Sequence, residues 1–190
     1  MGRAKQQAQA ALGLSKGRDV EAISAVALAL AGDATRSTRL ADELAARFGE
    51  DTTVQFHYLP TIHAAYAIAS GNTANAIQAL VPAAPYELGE PAIQTLAFNL
   101  YPVYLRGIAL LAARQGSAAA EFQKILDHPG IVLNEPLGPL AHLGLGRAYV
   151  LVGAREKARA AYQDFFALWK DADPDIPILK QAQSEYAKLQ

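Results

Sequence analysis

"HLGLGRAYVLVGAREKARAAYQDFFALW", residues 142–169, divides into two segments with helical periodicity. Its first half carries small and apolar residues at helical spacing, and its second half places Ala158, Tyr162 and Phe165 on one helical stripe. Gly153 separates the two halves, and glycine adopts the backbone conformations that end a helix at little steric cost. The stretch therefore predicts two helices joined by a tight turn.

The same design recurs earlier in the chain. Turns of similar composition stand in "LALAGDA", "AIASGNT", "AARQGSA" and "VLVGARE", each between an alanine-rich segment and an amphipathic one. The turn glycines are Gly32, Gly71, Gly116 and Gly153, which are 39, 45 and 37 residues apart. Self-similarity at such a period is typical of stacked repeat proteins.

The segments between these turns predict an all-α chain. Alanine and leucine are frequent, and the few β-branched runs of strand length are interrupted by Pro or Gly. We expect one domain over residues 1–190. Its parts are a helix over 3–13, helix pairs over 18–49, 52–83, 93–127 and 137–170, and a last helix over 175–188.

The helix pair at 142–169 resembles the tetratricopeptide repeat (TPR). Leu145, Gly146 and Tyr149 match the Leu-Gly-x-x-Tyr positions of that family, and Ala158 and Tyr162 match its Ala-x-x-x-aromatic positions. His142 stands where the family prefers Trp. The resemblance implies a right-handed α-solenoid of about four helix pairs, closed by the C-terminal helix as a cap.

Nearly the whole chain also resembles a more particular group. The stretch from "YPVYLRGIALLAARQG" to "SEYAKLQ" is similar to the C-terminal TPR region of bacterial membrane-linked serine/threonine protein kinases and winged-helix regulators. In such proteins the region is a sensor or interaction arm. The resemblance implies a bacterial signalling scaffold, fused to a kinase or regulator domain or separate from one.

Composition and motifs argue against several functional classes. The 17 basic and 18 acidic residues nearly cancel, without the basic cluster that nucleic-acid binding needs. The chain has no cysteine, and it lacks GxxxxGK[ST], HExxH, GxSxG and the kinase motifs. We expect no enzyme activity, no catalytic residue, no cofactor and no nucleic-acid partner.

The aspartates of "DADPDIPILK", residues 171–180, imitate the start of a calcium loop. That loop needs Gly at its sixth and Glu at its twelfth position, where this chain has Ile176 and Ala182. We interpret the stretch as a helix entry, with Asp173 or Asp175 as a cap and Pro174 or Pro177 in the first turn. The four histidines do not converge either, so no metal site is predicted.

We interpret the chain as a protein–protein interaction module. First helices line the concave face of such a solenoid, and the predicted partner-binding residues there are Tyr58, Tyr101, Tyr104, Leu143 and Arg147. They favour an apolar or aromatic segment of a protein or peptide partner. The tyrosines could equally be core residues that fill the stack.

Two other roles stay open. The chain could be a structural or self-associating regulatory arm of a fused kinase or transcription regulator. It could also be a small-molecule sensor that uses a cleft below the long connections.

The longest apolar stretch, "AISAVALALAG" at 22–32, is too short to span a bilayer, and the first residues lack the core of a signal peptide. We expect a cytoplasmic chain that does not insert into a membrane. The location would be periplasmic if the chain is the C-terminal arm of a membrane-linked kinase.

Overall fold

The computed structural model describes residues 2–89 and 99–190, which form eleven α-helices and no β-strand. This confirms the all-α prediction. The helices are α1 Gly2–Leu14, α2 Arg18–Leu30, α3 Ala34–Arg47, α4 Leu59–Ala69, α5 Thr73–Ala79, α6 Tyr101–Ala112, α7 Ala118–Leu126, α8 Pro129–Val132, α9 Leu137–Leu151, α10 Arg155–Leu168 and α11 Pro177–Ala187. Residues 93–98 of the predicted third pair lie outside the described residues.

The helices pack in the order of the chain. α2 pairs with α3, α4 with α5, α6 with α7 and α9 with α10, while the first helices α2, α4, α6 and α9 contact one another in succession. α1 packs on α2, and α11 packs on α10. Each pair thus buries its apolar stripe against the next pair, as expected where no single helix can bury its stripe alone.

The turns inside the four pairs share one hydrogen bond. In each turn an amide N–H donates to the carbonyl five residues earlier, which is the bond that closes a Schellman motif. The four bonds run from Asp33 N to Leu28 O (2.8 Å), from Asn72 N to Ala67 O (2.8 Å), from Gln115 N to Leu110 O (2.9 Å) and from Ala154 N to Tyr149 O (2.9 Å). The repetition inferred from the sequence is therefore present in the backbone.

One turn residue differs from the sequence prediction. Gly32, Gly71 and Gly153 have φ between 74° and 77°, but the left-handed position of the third turn belongs to Arg114, with a φ of 56°. Gly116, predicted to make that turn, lies two residues later. Two extra residues before α7 separate the turn from the glycine, so the equivalent turn positions are 39, 43 and 39 residues apart.

The two prolines near the starts of first helices act differently. Pro102 lies in the first turn of α6, where its missing N–H needs no helical acceptor. Pro60 follows a π-helical segment, Val54–Tyr58, that continues into α4. There the hydroxyl of Thr61 donates to the carbonyl of His57 at 2.6 Å, which satisfies one acceptor beside the irregular turn.

The entry to the last helix is also partly different from the prediction. Pro177 opens α11 as expected, but the residue before it is Ile176, which has no capping side-chain hydrogen bond. Neither Asp173 nor Asp175 caps the helix. Instead an oxygen of Asp173 accepts the backbone N–H of Asp175 at 2.9 Å, and Lys180 donates to Asp175 at 2.7 Å. The aspartates order the bend before the helix.

A buried carboxylate anchors the connection after α5. Glu87 is buried and accepts hydrogen bonds from Arg106 of α6 at 2.7 Å and from Lys124 of α7 at 2.7 Å. Arg106 also pairs with Glu121 at 2.9 Å. The charges of this network are matched, as a buried carboxylate requires. The connection is thereby held against the third helix pair.

Helices α9 and α10 approach each other closely at Gly146. A Cβ at Gly146 of α9 would lie 2.9 Å from the ring of Tyr162 on α10.

Within residues 2–89 and 99–190, no helix combines the length and apolarity needed to cross a bilayer.

Candidate functional site

A surface groove of about 630 Å³ crosses three helices in a row. It runs over the C-terminal parts of α6 and α9 and is closed by α11. Its apolar floor consists of Ile108, Leu111, Val150 and Leu151. Val150 is 45% exposed, so the floor includes apolar surface that no other part of the described chain covers. We call this surface the inner groove.

An ion pair closes one end of the inner groove. Arg147 of α9 donates to both carboxylate oxygens of Glu185 on α11, at 2.8 and 3.0 Å. The Tyr162 hydroxyl donates to the same carboxylate at 2.8 Å, and the Gln181 amide donates to it at 2.9 Å. Burial alone would raise the pKa of Glu185, but these hydrogen bonds outweigh it and hold the pKa below its ordinary value. Glu185 therefore stays ionised and neutralises Arg147.

The remaining charges of the inner groove lie on its rim. Arg114 and Lys188 line the groove, and both side chains are exposed. Neither forms an ion pair with any residue in 2–89 or 99–190. The groove thus offers an apolar floor, a neutralised arginine and two cations at the edge.

Two of the five predicted partner-binding residues are buried. Tyr58 is 5% exposed and Leu143 is 1% exposed. The Tyr58 hydroxyl donates to Asp19 at 2.7 Å, and the guanidinium of Arg18 lies 5.7 Å from its ring centroid. Leu143 belongs to the apolar cluster that α11 covers. Both side chains therefore pack inside the helix array.

Tyr101 and Tyr104 are half-buried on α6. The ring of Tyr104 makes an edge contact with Phe122 of α7, with centroids 5.9 Å apart. Burial raises the pKa of Tyr104, and the positive charge of the nearby Arg147 opposes that rise. Tyr104 is thus close to Arg147, whereas Tyr58 lies in a polar network at the start of α2.

Of the five predicted residues, Arg147 is the one that lines the inner groove. Ile108, Leu111 and Val150 also line the groove and are not among the residues predicted from the sequence. Their signal in the sequence is weak, because apolar residues at helical spacing look the same whether they face a core or a groove.

The histidines show no converging arrangement. Among residues 2–89 and 99–190, no three His, Asp or Glu side chains are grouped closely enough to hold a metal ion. His57 is buried with its Nε2 atom 3.1 Å from the carbonyl of Asn99, and burial lowers its pKa. A neutral, buried imidazole of this kind is a core residue.

No protein-family model, curated protein or solved structure matches the chain. The candidate function therefore rests on the inner groove itself.

Proposed function

We propose that this chain is a non-catalytic module that binds a segment of a partner protein in the inner groove. The observation that carries the proposal is that α6, α9 and α11 jointly form one groove with an exposed apolar floor. Stacked helix pairs that expose such a groove are suited to an extended or helical peptide. The sequential packing of the pairs supports a TPR-like right-handed solenoid, which is part of the proposal.

The groove also favours a particular kind of segment. Val150 and Leu111 offer contacts to apolar side chains, while the exposed rim cations Arg114 and Lys188 attract acidic residues. Arg147 contributes little free charge because Glu185 already holds it. We therefore infer a partner segment with apolar residues at its centre and acidic residues beside them.

Selection from a random peptide library displayed on phage tests the proposal without a known partner. Peptides selected on the wild-type chain are labelled, and their dissociation constants are measured by fluorescence anisotropy. Val150→Glu is the test variant, and Val152→Glu is the matched control. The two valines are 45% and 55% exposed, but only Val150 lines the groove.

We expect Val150→Glu to weaken the binding of the selected peptides by about tenfold or more, since it places a charge on the apolar floor. Val152→Glu should leave the affinity unchanged. Equal affinities for both variants, or a selection that enriches no peptide, would contradict the proposal. Sedimentation of the free chain over a concentration series separates peptide binding from self-association through the same surface.

A further inference from the structure

A second cleft, of about 670 Å³, lies away from the inner groove. It is an open cleft lined by the end of α7, the connection after it, the start of α9 and the end of α10. Its walls are mostly apolar and include Leu126, Pro129, Val132, Leu168 and Trp169. The volume falls within the range of cavities that bind small molecules. We call it the loop cleft.

The loop cleft contains one carboxylate, that of Glu135, together with the side-chain amide of Asn134 and the imidazole of His142. Glu135 is half-buried and contributes a carboxylate. Of the residues that line the cleft in the described chain, none is Lys or Arg. The cleft is therefore electronegative, with no cation in its wall to offset the carboxylate.

His142 adds a second acceptor. Its Nδ1 atom is buried and has no hydrogen-bond partner among the described residues, and the nearest carboxylate, Asp164, is 3.6 Å away. That distance is longer than a hydrogen bond. Burial lowers the pKa of His142 despite the opposing charge of Asp164, so the imidazole is neutral near pH 7. A neutral imidazole has one nitrogen that donates and one that accepts, so His142 can accept one hydrogen bond.

The connection before α9 contains a residue with a strained backbone conformation, and this residue lines the cleft. Leu133 has a φ of 51°, a conformation that a leucine rarely adopts, and its side chain is exposed. Strained backbone persists where the surrounding structure fixes it, and such residues cluster at binding sites. Leu133 places additional apolar surface on the cleft wall.

We propose that the loop cleft binds a small apolar molecule that carries a protonated amino group. The apolar body would contact Trp169 and Leu168, and the ammonium would donate to the carboxylate of Glu135. This inference does not depend on the inner groove.

Two physical arguments favour the amine over other ligands. Burial raises the pKa of Glu135, which indicates that its ionised form lacks compensating interactions that a bound cation would supply. An anionic ligand would instead place like charges next to Glu135 and Asp164.

Trp169 makes the test direct because it is the single tryptophan of the chain. Its fluorescence is titrated with 2-phenylethylamine, 2-phenylethanol and 3-phenylpropionate, which share a phenyl ring and differ in charge. We expect a saturable change with the amine and about tenfold weaker binding of the alcohol, since a charge-assisted hydrogen bond is stronger than a neutral one. The acid should not saturate the signal.

Two variants locate the bound amine. Glu135→Gln should remove the preference for the amine over the alcohol, whereas Glu156→Gln, an exposed control outside the cleft, should keep it. Leu168→Lys should weaken amine binding, and Val152→Lys should not. Circular dichroism verifies that each variant is folded.

The proposal is overturned if the amine gives no saturable change, or if the acid binds as tightly as the amine. It is also overturned if Glu135→Gln retains the amine preference, or if Leu168→Lys binds the amine like the wild type.

Discussion

The ring of Phe122 on α7 occupies the space left open by Gly144 on α9. A Cβ at position 144 would lie 2.4 Å from Cε1 of that ring, well inside van der Waals contact. On the other side, a Cβ at Gly107 of α6 would lie 2.7 Å from its Cζ atom. One aromatic ring is therefore held between glycines of two successive first helices, and the packing of the third and fourth pairs depends on both.

We expect Gly144→Ala to destabilise the chain by about 1–3 kcal/mol, because the added methyl overpacks the contact with Phe122. The measurement is the free energy of unfolding from a denaturant titration. Gly130→Ala is the control, since a Cβ there would meet nothing within 4 Å. It should leave stability unchanged or raise it by up to about 1 kcal/mol, because alanine loses less chain entropy than glycine on folding.

A double-mutant cycle tests whether Phe122 is the residue that meets the new methyl. In a Phe122→Leu background the far ring atoms are absent, so Gly144→Ala should cost less than in the wild type. Additive costs would show that the methyl clashes with something else.

The turn after α6 should be improved by glycine. Arg114 adopts a left-handed conformation that costs an L-residue about 1–2 kcal/mol, and glycine would remove this cost. The larger chain entropy that glycine loses on folding offsets about 0.5–1 kcal/mol of that benefit. Arg114→Gly is therefore expected to raise the free energy of unfolding by up to about 1 kcal/mol. Gly153→Ala, at the equivalent turn position, should lower it. If both changes act in the same direction, the two turns are not equivalent.

The helix pairs could be predicted from the sequence because their stripes and turns are local patterns. Ala158, Tyr162 and Phe165 are all buried, as their spacing indicates. The third turn was misassigned to Gly116 because a glycine near the expected position is a stronger sequence signal than a left-handed arginine. Nothing in the residue type of Arg114 indicates its backbone conformation.

The candidate site was harder to predict because it depends on contacts between distant residues. Arg147 is one of the predicted partner-binding residues, but it pairs with Glu185, 38 residues away, where α11 packs on the array. For Tyr58 the sequence leaves a partner-binding and a core position equally open, and the structure buries it with its hydroxyl donating to Asp19, 39 residues earlier. Helical spacing shows which face of a helix is apolar, but it does not show which residues elsewhere in the chain pack on that face.

The pairing of Glu185 predicts a dependence of stability on pH. Its folded-state pKa lies below the ordinary value of 4.5, so the folded chain binds this proton less tightly than the unfolded chain. The stabilising contribution is therefore complete above about pH 4.5 and is lost as the pH falls through the folded-state pKa. The measurement is the difference in free energy of unfolding between wild type and Glu185→Gln over a pH series.

That difference should be largest near neutral pH and should shrink in acid. Glu156→Gln, at an exposed position, is the control and should give a small difference at every pH. A wild-type advantage over Glu185→Gln that stays constant down to pH 3 would contradict an ionised, hydrogen-bonded Glu185.

Removal of the last helix should make the chain associate. α11 covers an apolar cluster formed by Leu143, Tyr162 and Phe165, and it supplies the carboxylate that neutralises Arg147. A chain that ends at Asp173 would expose this cluster and leave Arg147 half-buried without its partner, and repeat arrays need polar terminal caps to remain soluble. Light scattering after size-exclusion chromatography should show dimers or larger aggregates, together with a lower melting temperature. A chain that ends at Lys188 keeps α11 and should remain like the full-length chain. If the chain that ends at Asp173 has the same mass distribution and melting temperature as the full-length chain, α11 does not stabilise the fourth helix pair.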